Sequence, residues 1–240
     1  MQIIKKIAAK SQNLRGNPIP TIAFIGDSVT QGCFEVFINE KGSFSTVYDR
    51  EHAYHTYITK ILSVLYPNVP INIINAGDDG GSATAGLHRL ERDVLCHHPD
   101  LTVVSFGLND VHHDLESYTK ALEGIFLRLK EAGSEVIYMT ENMMNTVMSV
   151  HLGKEEKVQV TAERTMKLQN EGKLKMFFEE GKEVARRCGV TVCDVHSLWE
   201  TMAQNGVSTT DLLSNNINHP IREMNWLFAM ELVKTMFLAD

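Results

Sequence analysis

Short runs rich in β-branched residues recur along the chain: "TIAFIG" at 21–26, "INIINAG" at 71–77, "LTVVSFG" at 101–107, "EVIYMT" at 135–140 and "VTVCDV" at 190–195. They are apolar on both faces, the pattern of strands covered on two sides in a parallel sheet. Between them the apolar positions fall at helical spacing. "AYHTYITKILSVLY" sets Tyr54, Ile58, Ile61, Leu62 and Leu65 on one stripe, and "TAGLHRLERDVLCHH" does the same with Leu87, Leu90, Val94 and Leu95. Residues 114–132, about 157–188 and 220–238 read as further helices, the charge-rich 154–187 stretch carrying an apolar stripe of Val158, Met166, Leu174, Phe177 and Phe178. Strand and helix in alternation predict an α/β fold. Its expected form is a three-layer α/β/α sandwich around a central, mostly five-stranded parallel sheet with right-handed crossovers.

Two stretches follow neither period. "CFEVFINEKGSFSTVYDREH" at 33–52 follows the first strand, and "ENMMNTVMSVHLGKEE" at 141–156 follows the fourth. Both leave the carboxyl ends of strands, where open α/β sheets keep their ligand sites, so both are expected to serve function. Internal repeats, low-complexity tracts and Pro/Gly/Ser-rich linkers are absent from the 240 residues. One domain over 1–240 is the expectation at this length.

Charge and cysteine usage narrow the function classes. A net charge of −7 without a Lys/Arg run longer than a pair excludes the basic face of a nucleic-acid binder. Cys33, Cys96, Cys188 and Cys193 form neither a C-x-x-C pair nor a zinc spacing, which predicts free thiols in a reducing compartment. "MQIIKKIAAKSQNLRG" lacks the apolar core and cleavage site of a signal peptide, and no segment reaches the length of a membrane span. The expectation is a cytoplasmic protein without a membrane span, compatible with a homo-oligomer. "CHH" at 96–98 and "HH" at 112–113 lack the i, i+4 spacing of helical metal ligands, so no metal or cofactor is expected. Trp199 and Trp226 read as core or helix-packing residues.

The chemistry concentrates at three strand ends. The first strand ends in Gly26-Asp27-Ser28, the second in "NAGDDGGSAT" with Asn75, Gly77 and Gly80, and the third in "FGLND" with Gly107, Asn109 and Asp110. A parallel sheet projects all three to one edge, so Ser28, Gly80 and Asn109 can share a cleft. Downstream, "DLLSNNINHPI" supplies His219 just before the last helix. The four blocks, in this order from Thr21 to the last helix, resemble the SGNH (GDSL-type) hydrolase family, whose fold is flavodoxin-like. G-x-S-x-G, the α/β-hydrolase elbow, is absent.

The resemblance implies a serine esterase that needs no cofactor and acts on a small-molecule acyl ester. Ser28 is then the nucleophile and His219 its base. The oxyanion hole is the N–H of Ser28, the N–H of Gly80 and the side-chain amide of Asn109. Asp27 braces the nucleophile turn, and Asp27, Asp79 and Asp110 are assigned to the substrate side of the cleft, with Asp78, His112 and His113 on its polar rim. That rim favours O-acetyl groups on carbohydrates as the substrate. Lysophospholipase or thioesterase work is the alternative, with Met143, Met144 and Met148 as an apolar lining.

One position departs from the family pattern. The acid that orients the histidine is expected three residues before it, where this chain has Asn216. A backbone carbonyl at Asn216, a folded-in Asp211, or a bare Ser–His dyad could fill the gap, and the carbonyl of Asn216 is the preferred reading. A non-catalytic relative that binds acylated sugars is a further reading of Asn216. An anion-binding module built on "DSVTQG" leaves Asn109 and His219 without a role.

Overall fold

The computed structural model describes residues 1–239. Its centre is a five-stranded parallel sheet of β1 (Thr21–Gly26), β4 (Asn72–Gly77), β5 (Leu101–Ser105), β6 (Glu135–Thr140) and β7 (Thr191–Asp194), in the order β4-β1-β5-β6-β7. All six residues of β1 are buried, as the middle of a covered sheet requires. β4 and β7 are the edges and are less buried.

Helices fill the crossovers. α1 (Gln2–Gln12), α3 (Tyr54–Leu65) and α9 (Asn225–Leu238) pack together. α4 (Ala83–Asp93), α5 (Leu115–Glu131) and α7 (Lys173–Arg187) form the other packed set. Right-handed crossovers from this strand order put the two sets on opposite faces, which is the three-layer sandwich expected from the sequence. α2 (Ser28–Gln31), α6 (Glu156–Asn170) and α8 (Val195–Gln204) complete the helices of interest.

Three differences from the sequence reading have local causes. The expected helix over 157–188 is broken at Gly172, whose φ of +74° in the left-handed region ends one helix and starts the next. The strand expected to run to residue 107 stops at Ser105, where its pairing with the neighbouring strands ends, and the chain turns away with Gly107 at φ +155°. The 33–52 stretch is not an irregular loop. It forms an antiparallel hairpin of β2 (Cys33–Ile38) and β3 (Phe44–Tyr48), with a register shift between Cys33 and Val36.

The inner face of that hairpin, Val36 and Ile38, packs on a small apolar cluster of Leu152, Val158, Ala162 and Ile217. This second cluster stands apart from the main core and draws Leu152 from the 141–156 stretch. The hairpin is thereby held over the carboxyl ends of β1 and β4. Asp79 Oδ2 ties it down, accepting from Thr46 Oγ1 at 2.8 Å and Tyr48 OH at 3.2 Å.

The strand ends themselves are packed tightly. Gly26 faces Gly77 across the ladder, and a Cβ on Gly77 would lie 2.2 Å from the backbone nitrogen of Gln31. The one-turn α2 can therefore sit directly on the end of β4 only because residue 77 has no side chain.

Candidate active site

The turn that carries Ser28 is built by Asp27. Its carboxylate caps α2 by accepting the N–H of Val29 at 2.9 Å, and Ser28 becomes the first residue of that single turn. Gly32 closes the turn at φ +95°, donating its N–H to the carbonyl of Ser28. Ser28 is thereby presented at the switch point of the sheet, at the carboxyl end of β1.

His219 reaches the serine from the far end of the chain. Its Nε2 lies 2.8 Å from Ser28 Oγ, and its Nδ1 lies 2.8 Å from the backbone carbonyl of Phe34. A carbonyl can only accept, so Nδ1 carries the proton and Nε2 keeps the lone pair. That is the tautomer a base needs toward a serine hydroxyl. Burial holds the imidazole below its ordinary pKa, partly countered by the Phe34 carbonyl and by the charges of Asp79 and Glu35. At neutral pH the ring is uncharged and able to take a proton.

The histidine loop is held by Asn215. Its Oδ1 accepts three backbone N–H groups, from Ile217 at 3.0 Å and from Asn218 and His219 at 2.9 Å each. Ser214 N–H donates to the carbonyl of His219 at 2.7 Å, and Leu213 and Pro220 form an antiparallel bridge. Neither residue expected to orient the ring does so. Asn216 sits in the left-handed region at φ +55° on the turn, and the Nδ1 acceptor is Phe34, so the carbonyl of Asn216 is not the partner. Asp211 lies exposed on the 3₁₀ turn Thr209–Leu212, with His219 buried elsewhere. Because the hairpin covers the cleft, a carbonyl from β2 takes the space beside the imidazole.

Ser28, Gly80 and Asn109 do meet in one cavity of about 220 Å³, with His219, Asp79 and His112. Val36, Phe44 and Ile217 give it an apolar side, while Thr46, Asn215 and Asn218 add polar groups. Among the described residues the N–H groups of Ser28 and Gly80 have no protein acceptor. Gly80 adopts φ +73°, which exposes its N–H on a loop that bends back toward β1. The Asn109 amide is committed: its Nδ2 donates to Asp27 Oδ2 at 3.1 Å and to the carbonyl of Gly81 at 3.0 Å.

Two of the three acids assigned to the substrate lie instead beneath the cleft. Asp27 is fully buried, and Asp110 is buried with Oδ1 accepting the first N–H of α4, that of Ala83, at 2.9 Å. Their backbones turn inward to cap helices, so their carboxyls point into the protein. Asp79 alone faces the cavity, and of the expected rim residues His112 lines it while Asp78 and His113 line other surface hollows. Burial lowers His112 to about 4, so that ring too is neutral near pH 7.

A third buried acid, Glu141, joins Asp27 and Asp110. Its Oε2 accepts the N–H of Leu108 at 3.1 Å, while Oε1 has no N–H or hydroxyl donor. Burial pushes the carboxyls of Asp27 and Glu141 up, and each acid disfavours the charge on the other. Asp110 is raised to about 6 by the same cause. Glu141 went unread in the sequence, although an acid just after an apolar strand repeats the signal that marked Asp27. Asn215 was masked by its neighbour Asn216, and a backbone carbonyl such as that of Phe34 has no sequence signature.

Among the described residues no group of three or more His, Cys, Asp or Glu side chains could hold a metal, and no helix is long and apolar enough to cross a membrane. The sheet order, the position of the cleft and the spacing of its residues define the class, an α/β/α hydrolase of SGNH type. Residues 24–227 match the model of the GDSL-like lipase/acylhydrolase family, and the chain belongs to that family.

An acetylxylan esterase of Geobacillus stearothermophilus is 29% identical over 131 residues, which cover 50% of this chain and 58% of that protein. The chain thus matches little more than half of that relative's length. Two solved structures share the fold. An acetylxylan esterase from Geobacillus stearothermophilus superposes with a TM-score of 0.65 at 18% identity, over 90% of this chain and 94% of that one. The lipase/acylhydrolase from Enterococcus faecalis gives 0.65 at 19% identity, over 91% and 95%.

Proposed function

We propose that the protein is a serine esterase that removes small acyl groups, O-acetyl groups on carbohydrates in particular, through an acyl-enzyme on Ser28. The observation that carries this reading is the 2.8 Å contact of Ser28 Oγ with the lone-pair nitrogen of His219, inside a small polar cavity. In the first step Oγ attacks the ester carbon and its proton passes to Nε2. The oxygen that becomes anionic faces the free N–H groups of Ser28 and Gly80. Asn109 becomes a third donor by giving up its 3.0 Å bond to Gly81. Collapse of the intermediate breaks the bond to the alcohol, which takes the proton from His219. Water then repeats the sequence on the acyl-serine and releases the acid.

The size and lining of the cavity support a short acyl chain. About 220 Å³ shared among Val36, Ile217 and several polar groups suits an acetyl group on a hydroxyl-rich alcohol better than a lipid. Met143 and Met144, which could have lined a lipid groove, are buried in the main core. The acetylxylan esterase relative points the same way.

The test is hydrolysis of p-nitrophenyl esters from acetate to octanoate by the wild type and Ser28→Ala. The expected outcome is turnover greatest for acetate, falling steeply beyond propionate, and reduced on the order of 10⁴-fold or more in Ser28→Ala. Rates that rise with chain length would move the substrate to lipids or thioesters. Equal rates in the two proteins would remove the serine mechanism.

A further inference from the structure

We infer that Arg222 is a positioning residue of this site, holding the Phe34 carbonyl where a carboxylate would otherwise stand beside the histidine. The inference rests on the esterase reading for its catalytic meaning and on geometry for its structural one. Phe34 and Glu35 sit in the register shift between Cys33 and Val36, where β2 is out of ladder with β3. A bulged backbone bends away from its partner strand, which leaves the Phe34 carbonyl free to face His219. It also leaves that peptide without the ladder bonds that would fix it. A two-stranded ribbon has little stiffness of its own.

Arg222 supplies the missing support from the histidine's own loop, three residues downstream. Its Nη1 and Nη2 donate to Glu35 Oε1 at 2.6 Å and Oε2 at 3.1 Å, and its Nε donates to Asp49 Oδ2 at 2.8 Å. Its guanidinium carbon stands 4.4 Å from the centre of the Phe34 ring. The two residues that flank the orienting carbonyl are therefore both gripped by one side chain. Asp49 extends the grip to the base of the hairpin, where its N–H donates to the carbonyl of Gly32 at 2.8 Å. A planar fork stacked on an aromatic ring is a geometry that lysine cannot reproduce.

The cluster also bears on charge. A carbonyl is a neutral partner for the imidazolium that forms during attack, and the Glu35 carboxylate favours that cation from one residue away. Arg222 thus gathers into one unit the two tasks that a triad carboxylate combines, orientation and negative charge.

The experiment compares Arg222→Met and Arg222→Lys with the wild type, using kcat and KM for p-nitrophenyl acetate and the ¹⁵N resonances of the histidine ring nitrogens. His219→Gln identifies the His219 signals. The wild type is expected to show His219 protonated on Nδ1 alone. Arg222→Met is expected to show mixed tautomers, with kcat lower by about 10- to 100-fold and KM little changed. Arg222→Lys, which keeps the charge without the fork, recovers part of the rate, and it carries the same comparison if Arg222→Met fails to fold.

A folded Arg222→Met with wild-type kcat, or with lowered kcat and an unchanged Nδ1–H spectrum, overturns the assignment. If Ser28→Ala hydrolyses the ester as fast as the wild type, the esterase reading fails. The ring spectra still decide whether Arg222 sets the orientation of His219.

Discussion

At the amino end of the sheet, Asp100 accepts the N–H of Thr21 at 2.8 Å and pairs with Lys6 at 2.6 Å. Glu135 there receives the N–H groups of Gln2 and Ile3 at 2.8 and 2.7 Å, the first turn of α1. At the carboxyl end, Asp27, Asp110 and Glu141 are buried, and Asp110 Oδ2 and Glu141 Oε1 lack partners. The same residue types thus stitch the surface at one end and strain the interior at the other. Buried carboxyls without a counter-ion are costly, and such violations of ordinary burial gather where a site is being shaped. Here they lock the turn of Ser28, the turn of Asn109 and the first turn of α4 to one another.

The largest effect that separates the two ends should come from Asn109→Ala. It removes the proposed third oxyanion donor and a partner of the buried Asp27 together. A fall in kcat of about 10²–10³-fold is expected, with a loss of about 1–3 kcal/mol in stability. Steady-state kinetics and urea unfolding on one preparation check both.

Asp110→Asn comes next. The folded-state carboxyl is raised to about 6 from an ordinary 3.8, so its contribution to stability is complete below about pH 4 and is lost as pH rises through 6. The variant keeps an oxygen for the N–H of Ala83 and does not ionise. Relative to wild type it should gain up to about 3 kcal/mol between pH 4 and pH 8. Asp100→Asn, at the other end, breaks a partly exposed ion pair and should change stability by less than about 1 kcal/mol. Unfolding curves across pH that show the same trend in both variants would erase the contrast.

The smallest expected effect is none. Asn216→Asp restores the acid at its usual place in the family pattern, at a φ that aspartate tolerates. With the ring already held by Phe34, kcat should not rise. A large gain would mean that the carbonyl is a poor substitute.

The five strands and the meeting of Ser28, Gly80 and Asn109 at one sheet edge were legible because each depends on local signals: an apolar run, a glycine turn and a residue type fit for the chemistry. His219 was brought in by the family resemblance. The hairpin also had a readable signal, alternating residues on both sides of Asn39-Glu40-Lys41-Gly42-Ser43, a hairpin loop with its glycine. Its position over the cleft was not readable, because two-stranded ribbons take their place from tertiary contacts, here those of Val36 and Ile38 with Ile217. Two adjacent asparagines look alike in sequence. Only the left-handed turn at Asn216 shows that Asn215 is the one facing inward. The partner of His219 was beyond reach of composition and spacing, since it is a peptide oxygen 185 positions away along the chain.

The three N–H groups gathered by Asn215 carry a consequence for the energetics of capture. Ile217, Asn218 and His219 are frozen by one oxygen atom before any ligand arrives. Ordering a backbone residue takes about 1–2 kcal/mol of conformational entropy. In this protein that loss is absorbed during folding, so under the proposed esterase reading an arriving ester meets a base already in place and forfeits none of its binding energy to arrange it.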